Sequence, residues 1–305
     1  MKPIVLNQSS LKDFQNCQRL YGWYRLEKIE SPRRKSALEI GTAVHEGLAV
    51  FHSEGGTAEK ALKIAQDKLE ERSGPQLAFE DKSLEEAKNI VDNVLPAYFD
   101  HWDNQGELWA PLNVEVEFLV EVGTDTGVFL RGRADNLSTY AGGLYLVDYK
   151  TAGRMDPRDL LKYEMDIQLS SYIYGISKQL SIDSISLGGE LVKVNGAIID
   201  LLVKTKTPQF AREVFTRTDE EMREFEEEFV ELGTRIRQQK QRVEDGEDWK
   251  KVFPRNTEHC FRYGTCPYRD VCAKDTEVRR AMYSDRAPDY VDIAQAELER
   301  EKGEA

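Results

Sequence analysis

Gly132-Arg133-Ala134-Asp135 and, a little further on, Val147-Asp148-Tyr149-Lys150-Thr151 are the stretches on which the reading of this chain turns. Each lies in an apolar run, residues 127–137 and 143–151, and the Gly142-Gly143 pair between them predicts a tight turn joining two antiparallel strands. Residues two apart on a strand point to the same face, so Asp148 and Lys150 converge while Tyr149 turns into the opposite layer. An antiparallel neighbour brings Asp135 to the same place. Two carboxylates can hold a hard divalent cation, which polarises a phosphoryl oxygen and acidifies its bound water, and a lysine beside them offsets developing charge. Taken alone, Asp148 and Lys150 also read as an ion pair on a solvated strand face.

Upstream, Val114, Val116, Phe118, Val120 and Val122 alternate with Glu115, Glu117, Leu119 and Glu121, the pattern of a half-buried strand. The three strands predict an antiparallel meander, and Glu117 becomes a further ligand candidate, with Glu115 and Glu121 on its face. Downstream, a helix over residues 157–180 carries Gln168 and Tyr172, which share a face four residues apart and could grip a DNA backbone or stack a base. Two more strands, 184–194 and 197–204, flank Asn195-Gly196, a hairpin signal. Met222, Phe225, Phe229, Leu232 and Ile236 form the narrow apolar stripe of a charged helix over 219–242.

The first third reads as helical: 10–25, capped by Ser9 or Ser10, then 37–51, 57–72 and 83–104. The second of these carries Gly41-Thr42-Ala43-Val44-His45, where His45 is a candidate metal ligand, although a lone helical histidine also reads as a satisfied core or surface residue.

With 305 residues, 40% hydrophobic and 32% charged, the composition excludes a wholly disordered chain and a membrane protein, and no apolar run approaches the roughly 18 residues of a spanning helix. Met1 to Ser10 has no apolar core of a secretory signal, so the cytoplasm is expected. The net charge of −13 disfavours a nonspecific nucleic-acid binder. Basic runs at Arg33, Arg34 and Lys35 and at Arg235, Arg237, Lys240 and Arg242 read either as a local groove or as solvated faces. A charged tail over 291–305 is expected to fray.

Of the four cysteines, Cys17 stands alone and Cys260, Cys266 and Cys272 follow one another with five residues in each gap. Four thiols suit one metal centre, and a disulfide framework is not expected in a cytoplasmic chain of this length. The spacing leaves open a zinc site, a [4Fe–4S] cluster and free buried thiols. His259, beside Cys260, reads as a rim residue or a substitute ligand.

In chain order, G-x-x-x-H ending at His45, G-R-x-D ending at Asp135, D-x-K at Asp148 to Lys150 and Q-x-x-x-Y at Gln168 to Tyr172 resemble the PD-(D/E)XK nuclease superfamily. The closer likeness is to its RecB-like branch, which includes the AddB nuclease domain, CRISPR-associated adaptation exonucleases and many phage exonucleases. The resemblance implies an α/β fold with a restriction-endonuclease-like core, a mixed sheet flanked by helices. It divides the chain into an N-terminal helical region (1–110), a nuclease core (111–245), a C-terminal iron–sulfur module (246–290) and the tail (291–305). It further implies that His45, Asp135, Asp148 and the Tyr149 carbonyl bind Mg²⁺ or Mn²⁺, that Lys150 is the catalytic lysine, and that Gln168 and Tyr172 flank the site. Iron–sulfur members use one cysteine before the core and three after it. By that layout Cys17, Cys260, Cys266 and Cys272 ligate a [4Fe–4S] cluster, with zinc as the alternative, although those members commonly place two residues, not five, in the first C-terminal gap. The implied function is a DNA exonuclease on single-stranded or end-opened DNA in recombination, repair or phage DNA processing, in a bacterial or phage-infected cell, with a helicase or recombinase as a partner and no membrane. The alternatives are a non-catalytic DNA-binding or scaffolding iron–sulfur subunit and a nuclease acting on RNA.

Overall fold

A computed structural model describes residues 2–31, 36–72, 82–105, 109–186, 193–262 and 264–303. The basic run at Arg33, Arg34 and Lys35 and most of the strand expected over 184–194 lie outside them.

In chain order the elements begin with β1 (Ile4–Leu6), α1 (Gln8–Asn16), α2 (Gln18–Tyr21), β2 (Ile29–Glu30), α3 (Ser36–Phe51), α4 (Ala58–Arg72) and α5 (Leu84–Gln105). The middle of the chain forms β3 (Ala110–Glu121), β4 (Val128–Tyr140), β5 (Gly143–Ala152), α6 (Pro157–Leu161), α7 (Ile167–Ser186), β6 (Gly196–Val203) and β7 (Gln209–Thr216). The remainder comprises α8 (Asp219–Glu244), α9 (Trp249–Val252), α10 (Arg269–Ala273), α11 (Glu277–Arg280), β8 (Ser284–Asp285) and α12 (Tyr290–Gly303). No helix among the described residues is long and apolar enough to cross a membrane.

The chain divides into two compact units, one of Met1–Arg33, Leu119–Gly132 and Arg223–Ala305, the other of Arg34–Phe118 and Arg133–Met222. In the second unit the latter half of β4 pairs antiparallel with β5, β5 pairs parallel with β6 (Asp148 opposite Ile199), and β6 pairs antiparallel with β7, a mixed sheet. Helices α3, α4 and α5 cover one face: Ile40, Val44, Leu48, Ala65, Val94 and Tyr98 pack against Val147, Tyr149, Ile198 and Leu202 in one buried cluster. Burying each large apolar side chain contributes roughly 1.5–3 kcal/mol, which holds these helices on the sheet. Gly41 lets α3 lie close to β5, because a Cβ there would stand 3.3 Å from Thr151 Oγ1. On the other face lies α7, where Gly175 leaves the space that the Phe118 ring fills.

In the first unit β1 pairs parallel with the start of β4 (Val5 opposite Phe129), and β2 pairs antiparallel with β8. The sequence reading misses β1, whose signal is the short apolar run Ile4-Val5-Leu6, the first two residues β-branched.

Several expected elements are corrected. The first helix starts one residue beyond Asn7, whose Oδ1 accepts from Ser10 N at 2.8 Å, so neither Ser9 nor Ser10 is the cap. It breaks at Cys17, which is extended (φ −162°, ψ 108°). The helix over 157–180 breaks at Asp166, extended again, after a 3₁₀ turn at Lys162–Met165. The β4–β5 turn is Ala141-Gly142, both at positive φ, with Gly143 already in β5. Asn195-Gly196 makes no hairpin: residues 184–186 are still in α7, Asn195 N donates to Leu144 O at 2.7 Å, and the hairpin partner of β6 is the unforeseen β7. The tail is helical to Gly303 and docks on β1, with Val291 and Ala294 buried against Val5 and Gln295 bridging Val5 N and Pro3 O. Arg235 and Arg242 of the second basic run are exposed, while Arg237 and Lys240 line a cleft with Lys2 and Gln295. Arg237 donates to Thr126 O, Arg242 pairs with Glu247, Arg235 stands over the Phe14 ring, and burial lowers the pKa of Lys240.

Candidate active site

Strands β4 and β5 and helices α3 and α7 bring the candidate residues together, all within the second unit. Asp148 and Lys150 share one face of β5, and Lys150 Nζ lies 2.5 Å from Asp148 Oδ2. From β4, Asp135 Oδ2 accepts from the backbone N–H of Tyr149 at 2.9 Å and faces His45 Nδ1 of α3 at 3.3 Å. From the first turn of α7, Gln168 Oε1 accepts from Lys150 Nζ at 3.0 Å, while its Nε2 donates to Asp148 Oδ1 (3.3 Å) and Tyr172 Oη (3.0 Å). An ammonium only donates, so the amide oxygen must face Lys150, which leaves the amide N–H groups for the carboxylate and the phenol.

The charges of this cluster set one another. Burial pushes the Asp148 carboxyl upward, and the Lys150 charge offsets only part of that. For Lys150, burial works toward loss of the proton but the Asp148 charge outweighs it, so its pKa stands above the ordinary lysine value. Burial would also raise Asp135, yet His45 beside it wins and holds that carboxyl below its usual range; in return Asp135 overcomes burial and raises His45. The arrangement is a lysine raised above its ordinary pKa beside a reluctant carboxylate, with a second carboxylate held below its usual range and an imidazole next to it. His45, Asp135 and Asp148 are engaged pairwise. No three His, Cys, Asp or Glu among the described residues are gathered as a ready ion cage.

Tyr149 turns into the opposite layer, as its alternation requires, and is buried there with His52 stacked on it at 5.9 Å. Tyr172 is buried with its ring edge-on to Phe118, which fixes the hydroxyl that receives Gln168.

A family model of the PD-(D/E)XK nuclease superfamily matches residues 5–273. The chain belongs to the PD-(D/E)XK nuclease superfamily. Solved structures similar to this PD-(D/E)XK member include a candidate exonuclease from Eubacterium rectale, at 16% identity over 80% of this chain and 82% of that one, with a TM-score of 0.49. Another is the protein crystallised as SSO0001, at 14% identity over 76% and 78% of the two chains, with a TM-score of 0.34. No curated protein matches.

Glu115, rather than Glu117, is the acidic residue of β3 that lies close to the His45–Asp135 pair. Glu115 has φ +53°, a left-handed backbone that costs a non-glycine residue of order 1 kcal/mol and breaks the simple alternation from which Glu117 is inferred. Its carboxylate accepts from Arg133 Nε at 2.7 Å and feels the charges of Asp135, Glu46 and His45, whereas Glu117 is exposed. Burial raises Glu115, with Arg133 opposing. No sequence signal marks a strand residue that leaves the pleat.

The four cysteines lie in the first unit. Cys17, Cys260, Cys266 and Cys272 line one cavity of about 270 Å³, walled also by Arg19, Trp23 and Tyr268. The extended conformation that breaks α1 belongs to Cys17, and Asn256 N donates to its sulfur at 3.3 Å. His259 is not part of the lining.

Proposed function

We propose that the chain is a Mg²⁺- or Mn²⁺-dependent DNA exonuclease of the RecB-like iron–sulfur branch, hydrolysing phosphodiester bonds of single-stranded or end-opened DNA. The observation that carries this reading is the convergence of His45, Asp135, Asp148, Lys150 and Gln168 through ion pairs and hydrogen bonds of 2.5–3.3 Å. An imidazole, two carboxylates and the backbone carbonyl of Tyr149 are a donor set that fits a hard divalent ion, and these four residues would hold it. Such an ion, when bound, polarises a phosphoryl oxygen and supplies an acidified water. Lys150 keeps its proton at Nζ, orients the attacking oxygen and offsets charge growing on the phosphoryl group. Gln168 holds the ammonium in that position, and Tyr172 locks the Gln168 amide.

Cys17, Cys260, Cys266 and Cys272 would hold a [4Fe–4S] cluster. A single zinc ion draws its thiolates in to about 2.3 Å and so close to one another. Four thiols lining one cavity of about 270 Å³ leave room for a larger inorganic core. The cluster's contribution there is a cross-link between Cys17 near the start of the chain and the three cysteines near its end. A helicase or recombinase supplying opened DNA belongs to the same proposal.

The test is cleavage of end-labelled single-stranded DNA, duplex DNA and RNA with Mg²⁺ or Mn²⁺ by the wild type and by Lys150→Ala. Progressive shortening of DNA from its ends, absent in the variant, is expected. Iron without any cleavage would favour the non-catalytic subunit instead.

A further inference from the structure

We propose that the outer side of the cysteine cavity is a binding surface for single-stranded DNA, with Phe261 as a base-stacking platform and Arg255 and Arg269 as phosphate contacts. This rests on the reading of the chain as a DNA nuclease and assigns part of its substrate contact.

Charge is the first argument. The chain as a whole carries −13, yet residues 249–280 hold eight Lys and Arg against four Asp and Glu. A basic island in an acidic protein concentrates polyanion at one place instead of coating the surface. Arg255 and Arg269 are both exposed, and both line the same cavity as Cys260 and Phe261. Arg269 pairs with Asp270 at 3.0 Å, whereas Arg255 has no ion pair among the described residues.

The second argument is Phe261. It is 65% exposed, although a ring of this size gains free energy when it leaves water. A loose loop does not account for this. Phe261 closes the 3₁₀ turn Thr257–Phe261, which Asn256 caps through Glu258 N and ties to Asn16 O at 2.9 Å. The turn is therefore pinned, and the ring is held outward with the Arg269 guanidinium 5.9 Å from its centroid. An exposed aromatic face beside arginines is the combination that takes unpaired bases, because every base has a π-face and every nucleotide a phosphate. A duplex hides its base faces, so the surface selects single strands.

The experiment is fluorescence anisotropy of the full chain with a labelled oligothymidylate of about 20 nucleotides, without divalent metal, and with a blunt duplex and an oligoglutamate as second probes. Cleavage by the same wild-type preparation is followed in parallel. Phe261→Leu is expected to weaken oligothymidylate binding about tenfold with duplex binding unchanged, and Phe261→Trp to restore it. Arg255→Gln with Arg269→Gln should reduce the slope of log affinity against log salt by about 1.4, two contacts at about 0.7 each. Wild-type-like binding by both the leucine and the double glutamine variants, in a protein that cleaves DNA, overturns this surface and leaves the nuclease standing. Wild type that neither binds nor cleaves DNA overturns both. Oligoglutamate bound as tightly as oligothymidylate, and lost in Phe261→Leu while oligothymidylate is not, reassigns the surface to an acidic polypeptide and overturns the proposal.

Discussion

Lys150 keeps its charge in a setting that by itself would discharge it. Burial favours the neutral amine, and the Asp148 carboxylate at 2.5 Å, with Asp135 adding to it, reverses the balance. Without the ammonium the buried Asp148 carboxyl, already raised by burial, takes up a proton instead of standing as an unpaired charge, and no apolar packing is lost from the core. Lys150→Ala is therefore expected to lower cleavage by about 10³-fold with the melting transition and DNA binding kept, as single-turnover assays beside circular dichroism will read. Glu115 and Glu117 offer a sharper comparison, because they are two residues apart on one strand and only the kink at Glu115 separates their fates. Glu115→Gln should cut cleavage about tenfold and Glu117→Gln less than twofold, measured on the same DNA. Equal effects would return β3 to a regular pleat.

At the scale of elements, α1 and α12 are where stability and pH meet. Asp13 on α1 is raised to about 6 by burial, which Arg25 only partly opposes. For an acid whose folded pKa exceeds its unfolded 3.8, the folded state holds the proton more tightly, so stability falls as pH rises from about 4 to 6 and stays lowered above. Asp13→Asn should thus stabilise the protein by ~1–3 kcal/mol near neutral pH and by almost nothing near pH 4, as urea titrations at the two pH values would report. Helix α12 buries Val291, Ala294 and Leu298 and gives β1 two side-chain hydrogen bonds through Gln295. A chain ending at Pro288 is expected to melt roughly 5–10 °C lower; an unchanged transition would return the tail to a frayed end.

For the whole molecule the telling measurement is metal content. Anaerobically purified protein is expected to carry about four irons per chain with a broad visible absorption, and Cys272→Ser to lose both the colour and thermal stability. About one zinc per chain would remove the cluster and leave the second unit's chemistry untouched, since every candidate catalytic residue lies in that unit and every cysteine in the other.

The residues that converge on Lys150 were legible in the chain because strand alternation and helical spacing are local: Asp148 with Lys150, and Gln168 with Tyr172, share faces by arithmetic alone. The strands β4 and β5, the helices α3 to α5 and the long α8 were legible for the same reason. What sequence could not reveal was decided by partners distant along the chain. Asn195-Gly196 has the chemistry of a hairpin, but Asn195 is claimed by Leu144 and β6 runs parallel to β5. The acidic tail has the composition of a frayed end, but the open edge of β1 and the Val5 side chain give it something to cover. Glu115 leaves the pleat where Arg133 and the His45–Asp135 pair await its carboxylate. Periodicity sets which residues face together within an element; which faces meet, and which backbone groups find partners, is settled only when burial and hydrogen bonding are satisfied across the fold at once.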